Sequence, residues 1–207
     1  AGLNTPAWAI INQASSHAVT WHLMSEGIDE GGLLASRRVP IDPGETALTL
    51  NTKCFEVGLA TFKALLERLE QGTASPTLQD TTRRTYYGRH QPPPHDGVIN
   101  WSWTADRIDA LVRGLSFGTY ENPLAAPKCI IDSTPYRVDA LHVLTGASGD
   151  SPGTVVEAGA DRIVVATGSK DVAITGLTTL DGKTASMGDV LARHSITAGT
   201  RWHVLSP

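Results

Sequence analysis

Residues 18–34 read AVTWHLMSEGIDEGGLL, and this stretch decides how the first part of the chain folds. Its side chains alternate between two faces, which consist of Val19, Trp21 and Leu23 and of Thr20, His22 and Met24. A two-residue period is typical of a β-strand, and here it leads into a loop at residues 25–32. Loops that follow strands in open α/β sheets line ligand crevices. The stretch therefore predicts that Asp29 is a catalytic residue rather than a surface charge.

Composition narrows the class of protein. The 207 residues carry 17 basic and 21 acidic side chains, a formal charge of -4, so no positive field draws the chain to nucleic acid or anionic lipid. Cys54 and Cys129 lack the spacing of a disulfide or a metal cage, which favours reduced core thiols. No apolar run approaches the roughly 18 residues of a membrane span, and the first residues lack the basic region of a signal peptide. We expect a cytoplasmic protein with small-molecule or protein partners.

After the strands the pattern becomes helical and then polar. Glu45 or Thr46 can cap a helix that we expect to run to about Glu70. Its apolar stripe consists of Leu50, Cys54, Val57, Ala60 and Ala64, at the spacing of an amphipathic helix. The segment 73–95 is polar and contains three consecutive prolines, which is typical of a linker between domains.

The remaining residues combine one short helix with a β-rich region. Thr104 can cap the helix, and short runs rich in Val, Ile and Thr alternate with turns from Lys128 onward. These runs predict a small antiparallel barrel. We therefore divide the chain into an α/β part at residues 1–72, the linker, and a β-rich domain at residues 96–207.

The α/β part is incomplete by itself. Two strands and one or two helices precede the linker, too few for a sheet that is covered on both faces. We expect the chain to be a fragment whose upstream strands and loop would complete the crevice around Asp29.

Four segments of the chain resemble sequence motifs that occur together in one group of proteins. AGLNTPAWAII resembles Y-x-G-x-x-P-x-x-W-A-I, and residues 18–34 resemble G-V-T-x-H-x-M-x-E-G-x-D-x-G-x-I-L. DGVINWSWTADRIDALVRGL resembles D-G-x-I-D-W-x-x-x-A-x-x-I-x-x-x-I-R-A-L, and TASMGDVLARHSITAGTRW resembles the closing segment of the same proteins. These are motifs of the folate-dependent formyltransferases, the family of methionyl-tRNA formyltransferase and glycinamide ribonucleotide formyltransferase. The resemblance covers nearly the whole chain.

The resemblance implies a fold and an activity. The fold is the C-terminal part of a Rossmann-like formyltransferase domain followed by an OB-like antiparallel barrel. The activity is transfer of a formyl group from 10-formyltetrahydrofolate, without a metal, to an amine. The family uses an Asn, a His and an Asp, of which only the Asp maps here, onto Asp29. The chain alone is therefore expected to be catalytically incomplete.

The resemblance also suggests an acceptor. GRHQPPPHDGVINW, LSFGTYENPLAAPK and the Trp21–His22 pair are most similar to formyltransferase domains of nonribosomal peptide synthetases. The acceptor there is the amine of an amino acid that a carrier protein holds. The alternatives are methionyl-tRNA, an amino sugar, or a degenerate module that only docks a neighbouring domain or tRNA.

Residues around Asp29 receive roles by the same resemblance. His22 would orient the carboxylate, and the alternative is a core histidine with satisfied hydrogen bonds. The remaining candidates would form part of the folate pocket, and they are Ser25, Glu26, Gly27 and Ile28. A plain acidic turn is the alternative for Glu26. The basic cluster of Arg83, Arg84, Arg89 and His90 indicates a solvated linker more than a phosphate site.

Overall fold

The computed structural model describes residues 2–205, except for the side chain of Arg83. The chain divides into two units, residues 1–91 and residues 92–207. No helix among the described residues is long and apolar enough to cross a membrane.

The first unit is built around a hairpin and a long helix. Its elements are α1 (Thr5–Ile11), β1 (Ser16–His22), β2 (Leu33–Pro40) and α2 (Ala47–Glu70). β1 and β2 pair antiparallel, and the described part of the unit forms this two-stranded sheet. A core cluster of Ile10, Val39 and Leu50 joins α1, β2 and α2. The hairpin is therefore held from one side by helices, and the ten-residue connection between its strands is left to form a site.

The helix α2 begins and ends where the sequence predicts. Thr46 is its N-cap and forms a reciprocal capping box with Thr49, which satisfies two backbone N–H groups that have no partner within the helix. The predicted apolar stripe holds only in its first half, because Ala60 and Ala64 are exposed. The helix instead turns Gly58, Thr61 and Leu65 inward, since the buried face follows 3.6 residues per turn and drifts away from a 3.5-residue spacing.

Part of the segment predicted as a linker packs on the first unit. Thr77 pairs with Leu33 through two backbone hydrogen bonds of 2.7 and 2.9 Å, which extends the edge of β2. Farther along, the ring of Tyr87 stacks on Trp8 with centroids 4.6 Å apart. These contacts place residues 77–87 beside the loop that connects the two strands.

The second unit consists of an antiparallel sheet, one helix that precedes its strands in the sequence and one helix that follows them. Its helices are α3 (Ala105–Gly114) and α4 (Met187–Arg193). Its strands are β3 (Lys128–Ile131), β4 (Thr134–Val143), β5 (Val155–Ala158), β6 (Ile163–Val165), β7 (Val172–Thr179) and β8 (Thr184–Ala185). Within the described residues the strand order is β3-β4-β7-β6-β5, with β8 on β7. The sheet curls into a half-barrel, which confirms the predicted fold class.

The core of the second unit contains side chains from both ends of residues 92–207. Trp101 and Trp202 are buried and their rings lie 5.4 Å apart, joining the start of the unit to its end. Thr104 accepts a hydrogen bond from the Arg107 backbone and caps α3 as predicted. Cys129 is fully buried and free, and this burial raises the pKa of its thiol to about 12.

Candidate active site

The hairpin connection brings Asp29 back over the end of the first strand. β1 ends at His22, where the pairing register is irregular, so Leu23 and Met24 are not strand residues as the alternation predicted. Met24 is 96% exposed. The loop closes on itself through a 2.9 Å hydrogen bond from the Leu23 N–H to the Gly32 carbonyl. The irregularity therefore ends the strand at a residue whose side chain faces Asp29.

His22 and Asp29 form a pair. The distance from Nε2 of His22 to Oδ1 of Asp29 is 3.6 Å, and Nδ1 of His22 lies 2.9 Å from the Leu23 carbonyl oxygen. Because a carbonyl only accepts, that nitrogen must carry a proton. A neutral His22 thus turns its unprotonated Nε2 toward the carboxylate, and a proton on Nε2 would be shared with Asp29.

The pair opens into a polar cleft of about 530 Å³. Alternation along β1 turns Ala18, Thr20 and His22 toward the cleft, whereas Trp21 points to α2 and donates to the Thr61 hydroxyl at 3.0 Å. His17 also lines the cleft, and burial lowers the pKa of its imidazole. Asp29 retains 47% side-chain exposure and can receive a proton from a ligand or from water.

Two glycines allow the tight course of the loop. A Cβ on Gly31 would lie 1.7 Å from the Leu23 carbonyl oxygen, and one on Gly27 would lie 2.1 Å from a carboxylate oxygen of Glu30. Asp29 itself has a φ of 57°, a left-handed conformation that is uncommon outside glycine. The turn therefore depends most on Gly31, whose neighbour is backbone, whereas a Cβ on Gly27, one of the predicted folate-binding residues, would meet the end of a flexible side chain.

The four residues predicted to bind folate lie on the same loop. Ser25 donates to the Gly27 carbonyl at 3.2 Å, Ile28 is 70% exposed, and Glu26 is exposed. Among the described residues that line the cleft, Asp29 and His22 are present and these four are not. The structure thus brings together the two predicted catalytic residues and leaves residues 25–28 on the outer side of the loop.

Sequence reasoning did not find two residues that contact the loop. Gln79 donates to the backbone carbonyls of Asp29 and Gly31, and Arg84 contacts Ile28 and Glu30. The predicted linker composition gave no sign of this, because the contacts join residues about fifty positions apart. Arg84 belonged to the cluster that was assigned to solvent.

Metal ligands are not grouped in the described part of the chain. No three side chains of His, Cys, Asp or Glu come together there as a metal site. His22 and Asp29 form a pair at the cleft, and His17 lines the same cleft.

The second unit matches a known domain. Residues 93–195 fit the family model described as formyl transferase, C-terminal domain. Methionyl-tRNA formyltransferase from Desulfotalea psychrophila is 31% identical over 164 residues, which cover 78% of this chain and 47% of that protein. The enzyme of the same name from Citrifermentans bemidjiense is 29% identical over 192 residues, with 93% and 57% covered. The chain spans about half the length of the curated relatives it matches.

Solved structures share the fold. HypX from Aquifex aeolicus in complex with tetrahydrofolic acid superposes with a TM-score of 0.67 at 17% identity, covering 93% of this chain and 33% of that one. WlaRD, a sugar 3N-formyl transferase solved in the presence of dTDP and 5-N-formyl-THF, has a TM-score of 0.63 at 22% identity, with 84% and 60% covered.

Proposed function

Because the chain belongs to the folate-dependent formyltransferase family, we propose that it takes part in formyl transfer from 10-formyltetrahydrofolate to an amine. The observation that carries this proposal is the Asp29 carboxylate, which lies in a polar cleft opposite a histidine whose other nitrogen is held by a carbonyl. Residues 1–207 contain no Asn-x-His segment. The proposal therefore assigns to this chain the proton-accepting part of the reaction.

The proposed chemistry follows from what acyl transfer requires. The amine nitrogen attacks the formyl carbon, and the carbonyl electron pair moves to oxygen. When the intermediate collapses, the carbon–N10 bond breaks and N10 of tetrahydrofolate leaves with the electron pair and gains a proton. Asp29 accepts the proton that the attacking nitrogen loses, directly or through one water, and this proton then passes to N10, which restores the Asp29 carboxylate. A positioned general base of this kind contributes about 10²- to 10⁴-fold to a rate.

His22 is proposed to hold Asp29 ready for this step. Its Nδ1–H bond to the Leu23 carbonyl fixes the ring, so Nε2 stays 3.6 Å from the carboxylate. A histidine at this place can share the proton that Asp29 receives and restrict the rotamers of the carboxylate.

The folate is proposed to contact the outer side of the loop. Ser25, Glu26, Gly27 and Ile28 offer backbone polar groups on an exposed turn, and a flat pterin ring can use such groups. Support comes from the family motif and from two structures of the same fold, one in complex with tetrahydrofolic acid and one solved in the presence of 5-N-formyl-THF. No metal is assigned to the reaction.

The acceptor is proposed to be the amine of an amino acid tethered to a carrier protein. The support is the similarity of residues 88–101 and 115–128 to peptide synthetase domains. Charge favours this choice over tRNA, because residues 92–207 contain nine Lys or Arg and twelve Asp or Glu, whereas a phosphate backbone requires a basic surface. Methionyl-tRNA and amino sugars, the acceptors named for the relatives, are the alternatives.

The reaction is proposed to take place in the cytoplasm, and the support is that Cys54 and Cys129 are both free thiols.

The test offers three acceptors to the longest natural protein that contains residues 1–207. Carrier-bound aminoacyl groups, methionyl-tRNA and a nucleotide-linked amino sugar are supplied together with formyl-labelled 10-formyltetrahydrofolate. The expected result is label on the carrier-bound amine. Label on another acceptor would overturn the acceptor assignment and keep the reaction. No label on any of them would contradict the proposed function and favour a docking module.

A further inference from the structure

Gln79 makes an unusual pair of contacts with the loop that carries Asp29. Its amide nitrogen lies 3.0 Å from the carbonyl oxygen of Asp29 and 2.5 Å from that of Gly31. Both neighbours can only accept, so the side chain must present its NH₂ group here and uses both hydrogens. One side chain thus fixes the backbone on both sides of residue 30.

Arg84 fixes the adjacent part of the same loop. Its Nη2 donates to the Ile28 carbonyl at 2.9 Å, and its Nη1 pairs with a carboxylate oxygen of Glu30 at 3.2 Å. The planar guanidinium can hold a carbonyl and a carboxylate at once, which a lysine ammonium does less well. Glu30 in turn lies against Gly27, where a Cβ would collide with it.

Together these contacts hold a backbone that has little other support. The side chains of Asp29 and Glu30 are about half exposed, and Asp29 has a left-handed φ, a conformation that persists when its surroundings enforce it. The three carbonyls at residues 28, 29 and 31 all receive their side-chain donors from residues 79–84. Without these donors the loop would exchange its hydrogen bonds for water and the carboxylate would lose its fixed direction.

We propose that Gln79 and Arg84 are positioning residues that hold the Asp29 loop in the conformation in which its carboxylate faces His22 and the cleft. They act through the Asp29 loop, to which the contacts described above are made, and both side chains also line the cleft. The inference rests on the proposed function for its catalytic consequence, whereas the ordering of the loop is independent of it.

The variants that test this are Gln79→Glu and Arg84→Lys. Gln79→Glu keeps the size of the side chain but replaces the two donors with oxygens that repel the carbonyls. We expect kcat to fall about 10- to 100-fold, as a small misplacement of a reacting group does, with KM for the folate changed less than threefold. Arg84→Lys should retain more activity than Arg84→Ala. Leu78→Ala and Arg37→Ala, exposed residues outside these contacts, are the matched controls and should keep the parent kcat.

A double-mutant cycle separates positioning from general structure. If Gln79 acts through Asp29, Gln79→Glu should cost little once Asp29 is replaced by Asn. Equal losses in the two backgrounds, or a thermal midpoint that falls with kcat, would overturn the proposal.

Hydrogen exchange tests the loop without any turnover. In Gln79→Glu and Arg84→Ala we expect amide exchange at Leu23, whose N–H closes the loop on the Gly32 carbonyl, to rise at least tenfold, while α2 and the hairpin strands keep their protection. Unchanged exchange in both variants would refute the proposal even in an active enzyme. Faster exchange in a protein that transfers no formyl group would refute only the proposed function.

Discussion

At the scale of single residues, Gly31 decides whether the loop that carries Asp29 can close. An alanine there would place its Cβ 1.7 Å from the Leu23 carbonyl oxygen, the group that accepts from Nδ1 of His22. We therefore expect Gly31→Ala to lower the free energy of unfolding by about 1–3 kcal/mol and to lower kcat as well, because the His22 ring loses its anchor. Chemical denaturation and steady-state assays measure the two effects.

Gly146→Ala is the matched control for this change. Its Cβ would have open space and its φ is not left-handed, so both quantities should stay at the parent value. A Gly31→Ala protein as stable and active as the parent would show that the loop geometry described above is wrong.

Burial raises the pKa of both cysteine thiols. The pKa of Cys129 is raised to about 12 by complete burial, so almost no thiolate exists at pH 8, and burial raises the pKa of Cys54 as well. We expect iodoacetamide at pH 8 to leave Cys129 unmodified in the folded protein, with slow modification at the half-buried Cys54. Peptide mass spectrometry gives the extent at each site. Equal labelling in the folded and urea-unfolded protein would contradict the burial of Cys129.

The site could be predicted in part from residues alone. Asp29 and His22 follow from strand alternation and from the motif, because both lie within one hairpin. Gln79 and Arg84 could not be found in this way, since their contacts depend on how residues 77–87 return to the hairpin. The local sequence around a residue does not predict which residues far away in the chain its side chain contacts.

At the scale of elements, capping determines where the helices begin. Thr104 satisfies a backbone N–H at the start of α3, so Thr104→Ala should lower the free energy of unfolding by about 1 kcal/mol. Thr104→Ser keeps the hydroxyl and should restore most of this loss. Urea denaturation of the three proteins measures it, and an alanine variant that is as stable as the parent would show that the cap contributes nothing.

Helix α2 shows how far an apolar pattern can be trusted. Both of its ends were predicted, because a capping residue at its start and the change to a polar segment after Glu70 are local signals. Its buried face drifted from Ala60 and Ala64 to Thr61 and Leu65, since the packing surface is set by β1 and Trp21 rather than by side-chain polarity. The helix also carries an exposed apolar row, which consists of Phe55, Leu59, Leu66 and Leu69.

At the scale of the whole molecule, the candidate site and the match to the family model lie in different units. The cleft with Asp29 lies within residues 1–91, whereas the C-terminal formyltransferase domain model covers residues 93–195. The α/β and β-rich composition of the two units was predictable from periodicity. The incompleteness of the α/β part stays a prediction, consistent with a chain that spans about half the length of its relatives.

The most direct test replaces Asp29 with Asn in the longest natural protein that contains residues 1–207 and measures formyl transfer from 10-formyltetrahydrofolate. An amide at this position keeps the shape of the side chain and cannot accept the proton, so we expect kcat to fall at least about 100-fold. KM for the folate and the thermal midpoint should change little, and Glu56→Gln on the exposed side of α2 should match the parent. Turnover by Asp29→Asn at the parent rate would contradict the assignment of Asp29 as the proton acceptor.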